Sequence, residues 1–387
     1  MEQWNNGTMK KILFLDHTPF IGGAQLSLLQ HLDHLNRNRF EVYLGCSEEA
    51  QKTGMEKHYQ ERSIPYIILP FPRLKKWSPL SLIGFVRSVK AVSKLIDEQE
   101  CHLVVTNTVR TAIVSSVAAF WKKKKLIWFI RDFTFPRWLF KLLSKYPDRI
   151  IFNSQNIKQY YHSCLSSRTK GEVVPVGRDM HRKIKEYSSH DVDSVRQRLR
   201  ISPDVHVIGY TGRLVTWKGA DVLLGAIKRL FDQGRNEIKC VIMGTGKGQN
   251  ESCEERLKNK AEQWGIQDAV VFTGHKKNIA KYLLTFDVLV LPSLKNEPFS
   301  SAVVDAMMAG VPVIGTDIGG TPEMIKDEVT GLLFPPGNEK RLAEAINRLI
   351  SFPELKRRIA KNAHSYAFNN LRADITTEQL ERIYGEI

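Results

Sequence analysis

The chain has 387 residues, 42% hydrophobic and 25% charged, which are values of a soluble globular protein long enough for two ordinary domains. Five cysteines (Cys46, Cys101, Cys164, Cys240, Cys253) are scattered without a C-x-x-C pair, arguing against a zinc site or disulfide framework and for a reducing cytosol. The net charge of +16 is lopsided: residues 1–178 carry 27 Lys+Arg against 14 Asp+Glu, and the remainder 30 against 27, so the halves are expected to meet different partners. The polar start, residues 1–8, lacks the apolar core of a signal peptide and reads as a disordered extension. No apolar run approaches the ~20 residues of a spanning helix.

Lys11 to Leu15 reads as a buried strand. A loop with Gly22-Gly23 follows and enters an amphipathic helix. Those glycines either make a tight turn or let a ligand approach the backbone. Phe40 to Gly45, Tyr66 to Leu69, Leu103 to Thr106, Leu126 to Ile130, Arg149 to Asn153 and Glu172 to Val174 read as further strands, with helical patterns between them, notably Leu80 to Ile96. This alternation predicts a doubly wound α/β domain. Three basic-aromatic clusters, Phe71 to Trp77, Trp121 to Lys125 and Phe135 to Tyr146, suit an anionic membrane surface, at ~1 kcal/mol per cation near it; the plain alternative is a solvated basic face. Nucleic acid is disfavoured as a partner because no recognition module accompanies the charge.

Residues 181–204 read as a polar connector with a helix. The strand Val205 to Tyr210 then leads into Thr211-Gly-Arg-Leu-Val-Thr-Trp-Lys-Gly219. Arg213 and Lys218 in that loop either clamp a diphosphate or are two solvated surface cations. Ile238 to Met243 is a strand ending in Gly244-Thr245-Gly246, and Val270 to Thr273 ends at Gly274-His275. Val288 to Leu291, a loop with Glu297-Pro298-Phe299, a helix from Ser300 to Ala309 and a strand Val311 to Ile314 make a βαβ unit. Ligands sit off the carboxyl ends of such strands, where Glu297 and the free backbone N–H groups of Ser300 and Ser301 lie. Asp305 falls on the same helix face as Ser301 and offers a carboxylate to a vicinal diol. Alternatively, Glu297 and Asp305 only complement the helix dipole, for under ~1 kcal/mol each. Arg341 to Ile350, Glu354 to Ala367 and residues 373–387 read as helices.

Glu297-Pro-Phe-Ser-Ser-Ala-Val-Val-Asp305 resembles the E-x7-E motif of family 4 retaining glycosyltransferases with the GT-B fold, and Gly212-Arg-Leu-Val-Thr-Trp-Lys-Gly219 resembles their G-R-L-x-x-x-K-G loop. Val173-Val-Pro-Val-Gly-Arg-Asp179 is similar to their V-I-P-N-G-V-D crossing between domains, with Val176 in place of Asn. The resemblance implies an α/β protein of two Rossmann-like doubly wound domains facing a cleft. Residues 1–178 would be the acceptor-binding domain, 179–370 the nucleotide-sugar domain, and 371–387 a helix returning to the first. It implies that Glu297 faces the donor sugar and that Arg213 and Lys218 hold the diphosphate with catalytic effect. Gly22, Gly23, Gly244, Thr245, Gly246, His275, Phe299, Ser300 and Ser301 would line the donor site. Asp305 would hold the ribose, although it is shorter than the usual Glu by ~1.5 Å, one C–C bond. Arg131-Asp132 stands where many relatives have His-Asp on the acceptor side; Arg131 would bind an anionic acceptor or pair with Asp132, and the pairing is the preferred reading.

These residues predict a retaining, metal-independent glycosyltransferase of the hexosyltransferase type, with no cofactor. It would use a nucleotide-diphosphate sugar, UDP-linked ahead of GDP-linked, and a saccharide or lipid-linked acceptor in the synthesis of cell-surface glycan or glycolipid. The expected location is the cytoplasm, peripheral on the inner face of the cell membrane. The rivals are a non-catalytic nucleotide-sugar-binding partner of another transferase, and an epimerase or phosphorylase of the same fold. A dinucleotide dehydrogenase is disfavoured, since neither first strand precedes a G-x-G-x-x-G fingerprint.

Overall fold

The computed structural model describes residues 9–71, 79–246 and 252–387; the expected extension 1–8 and residues 72–77 of the first basic-aromatic cluster lie outside them. The chain divides into two compact units, one of Met1–Gly177 with Ala373–Ile387 and one of Arg178–Arg372.

In the first unit the strands are β1 Lys10–Asp16, β2 Phe40–Ser47, β3 Tyr66–Leu69, β4 Leu103–Thr106, β5 Lys125–Ile130, β6 Arg149–Phe152 and β7 Lys170–Val173. They form one parallel sheet in the order β3-β2-β1-β4-β5-β6-β7. Their apolar runs follow from burial on both faces: β4 is buried throughout, and Trp128 of β5 stacks on Phe135 at 5.5 Å between ring centres. The chain runs outward through β2 and β3, then returns to the other side of β1 as β4. The switch point therefore lies between the carboxyl ends of β1 and β4, where such sheets bind ligands.

The second unit repeats the plan with β8 His206–Thr211, β9 Ile238–Met243, β10 Val270–Gly274, β11 Val288–Leu291, β12 Val313–Thr316 and β13 Leu332–Phe334. The order is β10-β9-β8-β11-β12-β13, all parallel, so its switch point lies between β8 and β11. The sequence signal missed β13, because three residues between Gly331 and Pro335 are too short for a period to show.

Helix Ala373–Glu386 belongs to the first unit. Its Tyr384, fully buried, hydrogen-bonds His31 Nε2 at 3.0 Å, and Thr377 Oγ1 meets His31 Nδ1 at 3.0 Å. Burial above all holds the His31 pKa down to about 3 against an ordinary 6.5. A folded pKa below the unfolded one means that the unfolded chain takes the proton first as pH falls. Stability is therefore lost from about pH 6.5 downward, by about 3 kcal/mol at pH 4 from this group. Thermal unfolding at pH 7 and pH 4 is expected to show that loss, and His31→Gln, which takes up no proton, is expected to lose less over the same descent.

Candidate functional site

The loop after β8 and the loop after β11 meet at the second switch point. Lys218 Nζ lies 2.5 Å from Glu297 Oε2, and Ser293 Oγ donates to the same oxygen at 3.1 Å. Glu297 is 5% exposed, so its charge is desolvated and aimed by these two donors. Lys218 also lies 4.6 Å from the Trp217 ring centre, and the Leu294 amide donates to the Trp217 carbonyl at 2.7 Å, which binds the two loops together. Glycine is required where they touch. Gly219 has φ +72°, and a Cβ there would stand 1.8 Å from the Pro292 carbonyl oxygen. Gly244, after β9, has φ +144° and would put a Cβ 1.7 Å from the Gly212 oxygen. The Thr245 carbonyl accepts from the Leu214 amide at 3.1 Å. Arg213 is exposed, and its own carbonyl is held by the Tyr210 hydroxyl at 2.9 Å. His275 is exposed after β10, while Gly246 is buried.

Helix Ser301–Met308 follows Glu297, with Ser300 as its N-cap and no side-chain hydrogen bond at the cap. Ser300 is buried, and Phe299 and Ser301 are partly so. The Gly320 amide donates to the Glu297 carbonyl at 2.8 Å, so the loop after β12 fixes the backbone just before the helix.

Asp305 departs from its expected ribose role. It is 1% exposed, and both carboxylate oxygens are taken by Arg178, from Nε at 2.8 Å and Nη2 at 2.6 Å. Burial is the largest single influence and lowers the Arg178 pKa, but the charge and hydrogen bonds of Asp305, with the Asp179 charge, together outweigh it and hold the guanidinium above its ordinary value. Separating a buried pair costs roughly 3–5 kcal/mol, more than the ~1.5–3 of a hydrogen bond to a charged group returns. Asp305 therefore anchors its helix from inside. Arg178 in turn donates its amide to the Leu371 carbonyl at 2.9 Å, pinning together the first and last segments of the second unit.

In the first unit, Gly22 caps helix Gly23–His34, and its amide donates to Gln25 Oε1 at 3.2 Å. Arg131, at the end of β5, does not pair with Asp132. Its Nε donates to Asn107 Oδ1 at 2.8 Å and its Nη1 to Ser27 Oγ at 3.0 Å. Asp132 accepts from the Thr134 amide and hydroxyl instead, at 2.9 and 2.6 Å, because a two-residue reach suits its short side chain. Burial holds the Arg131 pKa down to about 10. The guanidinium lines a cavity of about 20 Å³ with Ser27 and His31, room for one water and no sugar.

Ser293, Arg178 and Asn107 were not singled out in the sequence. Arg178 stood in plain view at the position of a hydrophobic residue in the crossing motif, and an unexpected cation there was the available signal. The basic-aromatic clusters split between core and surface. Phe135 and Phe140 are buried, whereas Phe120, Trp121, Trp138 and Leu142 are 65%, 59%, 65% and 54% exposed. Lys122 and Lys125 pair with Asp97 and Asp148. Among the described residues, no helix is long and apolar enough to cross a membrane.

Two doubly wound parallel units, each with polar groups gathered at its switch point, are the Rossmann-like pair of the GT-B glycosyltransferase fold. The Anabaena protein Alr3699/HepE, crystallised with UDP and glucose, superposes with a TM-score of 0.83 at 23% identity, over 98% of this chain and 100% of that one. Residues 21–182 match the model of Glycosyltransferase Family 4 and residues 191–366 that of Glycosyl transferases group 1. The chain belongs to this glycosyltransferase family. A D-inositol 3-phosphate glycosyltransferase of Actinosynnema mirum is 29% identical over 62% of this chain and 57% of its own length. The capsular polysaccharide biosynthesis glycosyltransferase CapM of Staphylococcus aureus is 22% identical over 92% of each chain. The chain spans only 57%, 39% and 47% of three of the curated relatives it matches.

Proposed function

We propose that the protein is a retaining glycosyltransferase that moves a sugar from a nucleotide-diphosphate donor, a UDP-sugar ahead of a GDP-sugar, to a saccharide or lipid-linked acceptor in cell-surface glycan synthesis. The observation that carries this reading is the Lys218–Glu297 pair at the junction of the loops after β8 and β11. Glu297 has one oxygen committed to Lys218 and Ser293, which leaves the other for a donor-sugar hydroxyl. Lys218 and Arg213 supply cations to the diphosphate, and the Ser300 and Ser301 amides at the helix start add donors to it. With charge on the leaving diphosphate offset by these groups, the reaction proceeds without a divalent metal, and the leaving phosphate assists the acceptor's deprotonation. Gly22, Gly23, Gly244, Thr245, Gly246, His275 and Phe299 complete the donor surroundings.

The first unit takes the acceptor. Its exposed Phe120, Trp121, Trp138 and Leu142, with neighbouring lysines and arginines, support peripheral contact with an anionic membrane on the cytoplasmic side. Similarity to CapM, named for capsular polysaccharide biosynthesis, favours a glycan acceptor.

Calorimetric titration with UDP, GDP, ADP and NAD in metal-free buffer tests the donor side. One diphosphate is expected to bind at micromolar Kd, about 8 kcal/mol, and Arg213→Ala is expected to weaken it by about tenfold. Binding of none, or of NAD alone, would exclude the reading.

A further inference from the structure

At the switch point of the first unit, the residue after β1 is His17 and the second residue after β4 is Thr108, and these two meet: His17 Nδ1 lies 2.7 Å from Thr108 Oγ1. Neither belongs to any motif considered above. The protons in this cluster are countable. Thr111 Oγ1 lies 3.0 Å from the Thr108 carbonyl, which only accepts, so the single Thr111 hydroxyl proton goes there. The contact of 2.9 Å between the Thr108 and Thr111 hydroxyls then uses the Thr108 proton. Thr108 Oγ1 already accepts from the Thr111 amide at 3.4 Å, and its remaining lone pair receives the His17 bond. The arrangement that makes all of these contacts hydrogen bonds puts the His17 proton on Nδ1. Nε2 is left as a bare lone pair, with no hydrogen-bond partner among the described residues.

Burial, and after it Arg110, hold the His17 pKa down to about 4 against the opposing pull of Asp16 and Glu49. The ring therefore stays neutral, and Nε2 remains an acceptor at working pH. The Ser47 hydroxyl donates to the His17 carbonyl at 2.7 Å, and the Thr18 amide donates to Asp16 Oδ1 at 2.8 Å, so the loop backbone is fixed on both sides of the ring. Three and four residues on, the same loop exposes Phe20 by 61% and Ile21 by 41%, apolar surface of the kind that the CH face of a sugar covers.

We infer that His17 Nε2 accepts a hydrogen bond from a hydroxyl of the sugar acceptor and orients it at the mouth of the first unit. This rests on reading that unit as the acceptor side. Thr108 is the positioning residue, because its hydroxyl sets the tautomer and through it the orientation of the ring.

Two measurements on the intact protein test the assignment. The first is the nitrogen NMR spectrum of the imidazole rings, with His17 identified by its loss in His17→Gln. The expected result at pH 7 is a protonated Nδ1 and a bare Nε2; a protonated Nε2 would overturn the proposal. The second follows transfer from UDP-glucose to a panel of p-nitrophenyl glycosides. His17→Asn keeps a group near Nδ1 but nothing at Nε2, and is expected to lower kcat/KM for the acceptor by about tenfold or more. The Kd for UDP should stay unchanged, and His17→Gln, whose amide oxygen reaches the Nε2 position, should recover part of the loss. Transfer by His17→Asn within about threefold of the parent would also overturn it. If the parent binds no diphosphate, the donor reading fails instead, and the tautomer alone decides for or against His17.

Discussion

Lys218→Ala is expected to lower kcat by about 10²–10³, roughly 3–4 kcal/mol of transition-state stabilisation, while weakening UDP by only about tenfold. The asymmetry has a physical origin. Negative charge on the diphosphate grows as the glycosidic bond breaks, so a cation fixed beside it does more in the transition state than in the ground state. Lys218 is fixed: its side chain is 14% exposed and it is tied to Glu297 at 2.5 Å. Glu297→Gln is expected to cost a similar factor, because the neutral amide accepts a weaker hydrogen bond from the donor sugar and leaves Lys218 without its counter-charge. Since the two residues act as a unit, Lys218→Ala with Glu297→Gln should cost little more than either alone. Steady-state kinetics on the four proteins checks this; single variants that keep kcat within about threefold would remove both residues from the mechanism. A parent that binds diphosphate yet turns over no acceptor would favour the non-catalytic nucleotide-sugar-binding partner.

The second large effect is on stability. Asp305→Asn is expected to destabilise the second unit by about 3–5 kcal/mol, since it leaves the 4% exposed Arg178 guanidinium buried without its carboxylate. Arg178→Met should cost about as much by stranding Asp305. Arg178→Met combined with Asp305→Leu, an apolar pair of similar volume, is expected to be milder than either single change, because no uncompensated charge remains. Urea unfolding at pH 7 measures all three. If Asp305→Asn instead left the midpoint unchanged and weakened UDP, Asp305 would be a ribose ligand after all.

How much was legible beforehand differs between fold and site. The strands showed because parallel, two-sided burial writes continuous apolar runs, as in Val288 to Leu291 or Leu103 to Thr106. Glycine-flanked Arg213 and Lys218, and Glu297 at a helix start, stood out because they form close-spaced local patterns, and the structure brings Lys218 and Glu297 into contact. Asp305 misled for the same reason: its spacing from Glu297 fits a ribose contact, but spacing is silent about a partner 127 positions away. Arg131 misled likewise, its neighbour Asp132 being the nearest charge in sequence and not the one it touches.

By itself, then, the sequence determined the alternation of strands and helices, the two-unit plan and the loops that hold the donor-site candidates, all of which follow from patterns within a few dozen residues. Only the tertiary structure decided which charged groups remain for a ligand and which are spent inside. Glu297 is aimed by Lys218 across 79 positions, Asp305 is sealed by Arg178, and His17 is given its tautomer by Thr108 across 91. Those choices depend on which strand ends the sheet order brings side by side, and on the cost of leaving a buried charge or hydroxyl unpaired.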